Sequence, residues 1–207
     1  MNKRNYQREM DILLEKLKLE EKTPTILLHS CCAPCSSYCL EYLTEYFNIA
    51  VFFYNPNISS KEEYSLRLSE QKRLIEEMPK KNSITLIEGE YRPSDFYEIA
   101  RGLEDAPERG ERCQKCYYLR LKAAAMKAKE IKADYFATTL TLSPLKDSYT
   151  INSIGERLSG SMDVPYLSSD FKKREGYKRS IELSKEFCLY RQNFCGCVYS
   201  KNDSKLL

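Results

Sequence analysis

The chain has no tryptophan and one histidine among 207 residues, and its glycines number only seven. It also has no run of about 18 apolar residues, the length a membrane-crossing helix needs. The first 22 residues, MNKRNYQREMDILLEKLKLEEK, are charged throughout and lack the apolar centre of a secretion signal, so a soluble cytoplasmic protein with no membrane partner is expected. With one imidazole available, a histidine-built zinc enzyme is excluded as the first reading. No internal repeat, low-complexity tract or convincing linker interrupts the sequence. The apolar fraction of 42% and charged fraction of 30% are those of an ordinary globular chain and exclude disorder.

Cysteine is abundant instead. There are nine, an odd number, and in a reducing cytosol they point to metal or redox chemistry rather than to a disulfide framework. Seven fall into three groups: Cys31, Cys32 and Cys35 in CCAPC, Cys113 and Cys116 in RCQKC, and Cys195 and Cys197 in CGC. Cys39 and Cys188 stand alone and are expected to be small buried hydrophobes. Seven clustered thiols exceed one tetrahedral zinc site. They suit an iron-sulfur cluster held by four Cys, with three left for a second metal. Cys113 and Cys116 lie three apart at the start of an expected helix, so they share a face and the positive helix end favours their thiolates. His29, just before the first group, reads best as a satisfied strand-end side chain.

The short apolar runs TILLH, IAVFFY, ITLIE and DYFATT alternate with helix-forming stretches at roughly 36–46, 60–78, 93–103, 112–131, 147–160 and 177–188, after an amphipathic lead-in helix near 6–20. VPYL at 164–167 is a candidate fifth strand. The alternation predicts an α/β fold with a parallel sheet, a Rossmann-like three-layer domain spanning 1–207, in which 1–22 form the lead-in helix and 23–200 the catalytic core. LEDAPERGE at 103–111 is expected to be a mobile loop. Ligands of such sheets sit beyond the carboxyl ends of the strands, where CCAPC falls. The polar stretches after the other strands make Asn55, Asn57, Thr139, Ser143, Lys146, Asp170 and Lys172 candidates to line the pocket; helix capping is the competing role for the small polar residues.

Net charge is only +3, yet the segment 112–132 holds seven Lys or Arg against Glu130, so the rest of the chain sums to about −3. Read plainly that segment is a solvated face; its alternative is a phosphate-contacting surface for RNA.

The ordered set HSCCAPC, YNPNI, EQKRL, RCQKCYYLRL, TTLTLSPLKD, NSIGE, SDFKK and YRQNFCGCVYS closely resembles the QueH family of epoxyqueuosine reductases, from about Leu27 to Ser200. The resemblance implies reduction of the epoxide of epoxyqueuosine at the wobble position of tRNA, the last step of queuosine formation. It implies a fold similar to the adenine nucleotide alpha-hydrolase and ATP pyrophosphatase proteins, a [4Fe-4S] cluster with an additional mononuclear iron, no cobalamin, and an electron donor that the sequence does not identify. The ATP-binding members of that fold carry a Gly- and Ser-rich phosphate loop where this chain has CCAPC. With Pro34 and no glycine there, no ATP is expected. Family members with Asp at the place of Cys35 imply that the third ligand of the second iron varies. Because adjacent residues point apart, Cys31 and Cys32 should serve different centres, and the turn at Gly196 lets Cys195 and Cys197 do likewise. That gives Cys32, Cys113, Cys116 and Cys195 to the cluster and Cys31, Cys35 and Cys197 to the second iron; swapping within either adjacent pair fits the same spacing. The rival readings are a zinc-stabilised RNA-binding module and a tRNA sulfur-transferase of the same fold, the latter requiring an ATP loop that is lacking.

Overall fold

The computed structural model describes residues 4–200; the two ends of the expected 1–207 domain lie outside them. Four strands form one parallel sheet in the order β3-β2-β1-β4: β1 Thr25–His29, β2 Asn48–Phe53, β3 Ile84–Glu88 and β4 Tyr135–Thr138. Helices α1 Tyr6–Leu19, α2 Ala33–Leu43, α3 Lys61–Glu77, α4 Pro93–Ala100, α5 Glu111–Glu130, α6 Ser148–Met162 and α7 Gly176–Glu186 surround it. A short 3-10 helix follows β4 at Thr139–Leu142. VPYL contributes no ladder, only a single parallel bridge from Tyr166 to Phe136. A proline within a four-residue run leaves too few amides to donate.

Both sheet faces are covered, giving three layers. Successive side chains alternate across a strand, so Ile26 and Leu28 enter one core with Ile49, Val51 and residues of α1 and α2. Leu27 and Phe52 enter the other with Leu121, Ala124, Ala125 and Ala128 of α5 and Ile151 and Leu158 of α6. The run of small side chains on α5 lets that helix lie close to the sheet.

Three local expectations change. Helix α2 begins at Ala33, with Cys32 as its extended N-cap and Pro34 in its first turn, so Cys35 is helical. Proline is suited to that turn because its missing amide has no partner there anyway. The 103–111 stretch is pinned rather than loose: the Arg112 guanidinium donates from Nη1 to the carbonyls of Leu103, Glu104 and Ala106 at 2.9, 2.8 and 2.6 Å. Cys39 is fully buried in the first core, but Cys188 is exposed, at a backbone φ of +48° just past α7. A residue that ends a helix in the left-handed region projects away from the packed face, and Cys188 is therefore no part of the core.

Two variants check this separation. Cys39→Ala should lower the denaturant midpoint by an amount worth about 1 kcal/mol, whereas Cys188→Ala should change stability by less than roughly 0.5 kcal/mol. Both should leave metal binding by the clustered cysteines unchanged.

Candidate metal centre

The site begins where β1 ends. Ser30 carries the chain off the sheet, donating its amide to the Phe52 carbonyl at 2.9 Å. Its hydroxyl meets Ser36 Oγ at 2.5 Å and donates to Gln71 Oε1 at 2.7 Å. Asn55 Nδ2 donates to the Ser30 carbonyl at 2.9 Å. This buried polar floor fixes the turn that presents Cys31, Cys32 and Cys35, whose sulfurs lie within 4.8 Å of one another. Cys31 and Cys32, expected to serve different centres, stand with their Sγ atoms 3.8 Å apart. The Cys31 amide donates to Thr139 Oγ1 at 3.3 Å.

The other four clustered thiols line a small cavity of about 30 Å³ beside them. Cys113 and Cys116 come from the first two turns of α5, and Cys195 and Cys197 from the segment beyond α7. That segment has no strand or helix of its own and is held by side chains. Arg67, buried on α3, donates from Nη1 to the Cys195 carbonyl at 3.1 Å and from Nη2 to the Phe194 carbonyl at 3.3 Å, while its Nε bonds Glu63 at 2.7 Å. Asn57 Nδ2 reaches the Cys195 carbonyl at 3.2 Å, and the Ser59 amide reaches the Gly196 carbonyl at 3.1 Å. Gly196 has φ of +102°, and a Cβ there would meet Ile58 Cγ1 at 2.8 Å, so the turn between the two cysteines requires glycine.

A second cavity, of about 150 Å³, opens outward from Cys31, Cys35 and Cys195 between Ser143–Lys146, Tyr177 and the 191–194 segment. Cys195, Arg120 and Lys146 line both cavities. Six of the seven clustered thiols thus border one continuous site at the carboxyl edge of the sheet, and the seventh, Cys32, is buried behind Cys31.

Electrostatics divides the thiols. Hydrogen bonds from Cys32 and Cys35 hold the Cys31 thiol well below its ordinary value, while Cys32 is pushed up to about 11. Cys195 is lowered by Cys197, Lys146 and Ser200. Burial raises Cys113, and raises Cys116 to about 11, reversing the expectation that the helix end favours both thiolates. Desolvation outweighs the partial charge of the helix terminus there. Burial opposes a proton on half-buried Lys146, but the neighbouring Cys31, Cys195 and Cys35 sulfurs raise its pKa overall.

Of the other expected site residues, Ser143 lines the outer cavity and Asn57 the inner one. Asn55 and Thr139 are buried beside the thiols: Asn55 Oδ1 accepts from Arg120 Nη2 at 2.5 Å, and Thr139 Oγ1 accepts from the Cys31 amide. Asp170 and Lys172 pair with each other at 2.6 Å in a neighbouring cavity, which meets the thiol cavity at Lys146. His29 is a satisfied strand-end side chain. Its ring nitrogens lie 2.9 Å from Thr138 Oγ1 and 3.2 Å from the Tyr54 carbonyl, and burial with the Arg120 charge lowers its pKa to about 3.

Arg120 and Arg67 are the functional supports that sequence reading passed over. Arg120 looked like part of a solvated basic face, yet it follows Cys113 and Cys116 at i+7 and i+4 and so belongs to their side of α5. Arg67 and Gln71 fall in the stripe of α3 that also carries buried Tyr64 and Leu74, a pattern that marks buried polar groups.

A family model described as epoxyqueuosine reductase QueH matches residues 26–203. The chain belongs to the QueH family. A Streptococcus pyogenes protein named epoxyqueuosine reductase QueH is 44% identical over 198 residues, covering 95% of this chain and 78% of that one. A Staphylococcus epidermidis protein of the same name is 43% identical, covering 95% and 84%. The Thermotoga maritima QueH is more distant, at 33% identity over 85% and 90% of the two chains.

The clamp on Cys195 is testable without assaying turnover. Arg67→Met should destabilise the fold by roughly 2–4 kcal/mol, because it removes the cation from the Glu63 carboxylate and the donor from the Phe194 and Cys195 carbonyls, and should lower bound metal in protein that still folds. Gly196→Ala should lower bound metal while shifting the thermal midpoint less than Arg67→Met does.

Proposed function

We infer that this protein is an epoxyqueuosine reductase that takes its substrate nucleoside within tRNA and converts the epoxide to the cyclopentene of queuosine. The observation that carries the reading is the gathering of seven thiols from three separate segments at the ligand-binding edge of a parallel sheet, in a chain of the QueH family. The reaction consumes two electrons and two protons and releases the epoxide oxygen as water.

The donor set fits an iron-sulfur group: sulfur ligands, almost no imidazole, and more thiols than one tetrahedral site uses. A bound [4Fe-4S] cluster with an iron beside it would supply electrons singly and a Lewis-acid position next to the outer cavity. We assign Cys32, Cys113, Cys116 and Cys195 to the cluster and Cys31, Cys35 and Cys197 to the second iron. The extended backbone at Cys32, with φ −176° and ψ 160°, favours opposite projection of adjacent side chains once ligands compete for them. The convergence of Cys31, Cys32 and Cys35 favours a second division, in which these three share one centre and Cys113, Cys116, Cys195 and Cys197 the other.

The chain's own residues then have separable tasks. Lys146 lines the thiol cavities and is placed to give a proton to the departing oxygen. The Asp170–Lys172 pair, one cavity away, is suited to reprotonating Lys146 rather than to touching the epoxide. Arg120 sets a fixed positive charge between the thiol groups, and Ser143 and Asn57 offer polar contacts at the cavity walls.

Incubating anaerobically purified protein with epoxyqueuosine-containing tRNA and a chemical reductant should yield queuosine by nucleoside mass spectrometry; absence of product from iron-replete protein would sink the reading. Cys35→Ala should keep the visible absorbance of the cluster while losing the extra iron and activity, and Cys113→Ala should lose the absorbance. Cys32→Ala and Cys197→Ala separate the two divisions: the first assignment predicts cluster loss from Cys32→Ala, the second from Cys197→Ala.

A further inference from the structure

The thiol cavity does not end at its mouth. Lys146 forms part of its wall and also lines a neighbouring cavity of about 580 Å³, between the start of α1, the start of α6 and the 170–174 segment. Tyr149, three residues further on, lines that second cavity and also a groove of about 750 Å³ between α5 and α6. Three concave surfaces therefore share walls in series, from the sulfurs to the outer face of α5.

Cations outnumber acids along this path, whose carboxylates are Asp147, the N-cap of α6, Asp170, paired with Lys172, and Glu111, paired with Lys115. Lys146 and Lys173 in the first part, and Lys122 and Arg157 in the groove, make no ion pair among the described residues, although 19 ion-pair contacts occur elsewhere and in between. Lys173, Lys122 and Arg157 are exposed. Two exposed aromatic side chains stand among them: Tyr149 is 58% exposed and Tyr118 39% exposed. The Arg157 guanidinium lies 5.5 Å from the Tyr118 ring centre. Two cations once counted toward a basic face on α5 are absent from this surface, because Arg112 and Arg120 are buried; Lys115 reaches the groove but is paired with Glu111 at 3.3 Å.

We propose that these three surfaces form a track for a single RNA strand, with the reacting nucleoside in the thiol cavity, flanking phosphates beside Lys146 and Lys173, and the next bases stacked on Tyr149 and Tyr118. The proposal rests on the reading of the substrate as tRNA and extends it to the chain surface that holds the loop. Unpaired cations interleaved with exposed aromatic rings are what a single-stranded nucleic acid requires: phosphate contacts supply affinity, and every base offers a face for stacking. An acidic protein partner would match the charges but would leave the two aromatic faces without a reason to alternate with them.

The test uses iron-replete protein and a fluorescently labelled anticodon stem-loop RNA without the modification, so binding is read apart from reduction. Tyr149→Ala and Tyr118→Ala should each weaken binding roughly tenfold. Lys173→Ala should weaken it and reduce the slope of log affinity against log salt by about 0.7. Lys61→Ala, at the start of α3 and remote from the track, should bind as the unsubstituted protein does, and all four variants should keep their iron. Track variants that bind like Lys61→Ala, or an unsubstituted protein that does not bind the stem-loop, overturn the track. If binding depends on the track but no queuosine forms from modified tRNA, the reductase reading fails and the track stands.

Discussion

The register of β1 against β4 decides where everything at the metal centre goes. His29 pairs with Thr138 across the sheet, so both strands finish level and the two segments beyond them, Cys31–Cys35 and Thr139–Lys146, leave the sheet side by side. A slip of one residue would turn His29 to the opposite core and move Thr138 off its Nδ1, because side chains alternate with a period of two. It would also part Thr139 from the Cys31 amide. The ring of His29 is thus a spacer whose value lies in being neutral and buried: one nitrogen engages β4, and the other faces Arg120 Nε at 3.3 Å. Through Asn55, Arg120 in turn is tied to Ser30, so β1, β2, β4 and α5 meet through one short chain of hydrogen bonds.

The remaining thiols need a different device, since Cys195 and Cys197 lie in a stretch without repeating backbone bonds. A segment of that kind loses about 1–2 kcal/mol per residue in backbone freedom when it is ordered, and no ladder offsets that cost. Arg67 offsets part of it by satisfying two successive carbonyls from inside the fold, with Glu63 neutralising its charge at 2.7 Å. A buried arginine is suited to this because its planar fork presents several donors in fixed directions. Ser59 and Asn57 complete the clamp from the loop after β2. The same solution recurs at 103–106, where Arg112 holds three carbonyls next to Cys113. In both places a guanidinium fixes backbone that has no secondary structure of its own: the cysteine-bearing segment itself at Arg67, and the loop leading into the cysteine-bearing helix α5 at Arg112.

This explains what the sequence discloses and what it conceals. The four strands are legible because short apolar runs alternate with helix-forming stretches, and CCAPC is legible as a site because thiols replace the glycines expected after the first strand. The grouping of cysteines is visible from their spacing alone. The roles of Arg67, Arg112 and Arg120 are hidden because an arginine in a charged, helical stretch looks solvated until tertiary packing shows which face is covered. The hydrogen-bond duties of Asn55 and Thr139 are hidden for a related reason: polar residues at strand ends face the crevice in general, and only the packing shows that Asn55 bonds Ser30 and Arg120 and that Thr139 bonds the Cys31 amide. Cys188 misled because burial was inferred from residue type, whereas its left-handed backbone past α7 turns it to solvent.

The placement of positive charge follows from the same accounting. Several thiols gathered in a volume that excludes water cannot all ionise together: hydrogen bonds from their neighbours lower Cys31 and Cys195, and the same bonds, with burial and the resulting negative charge, raise the neighbours. Only cations held inside the site can oppose that charge at short range, because surface charges are screened within about 10 Å. Arg120 and Lys146 line both thiol cavities, yet they are held differently. Arg120 is locked by Asn55 and His29, so it acts as a fixed counter-charge. Lys146 sits on a flexible stem in the loop between β4 and α6 and lines the adjoining cavity as well. The site thus joins one cation fixed by buried hydrogen bonds to one shared with the neighbouring cavity.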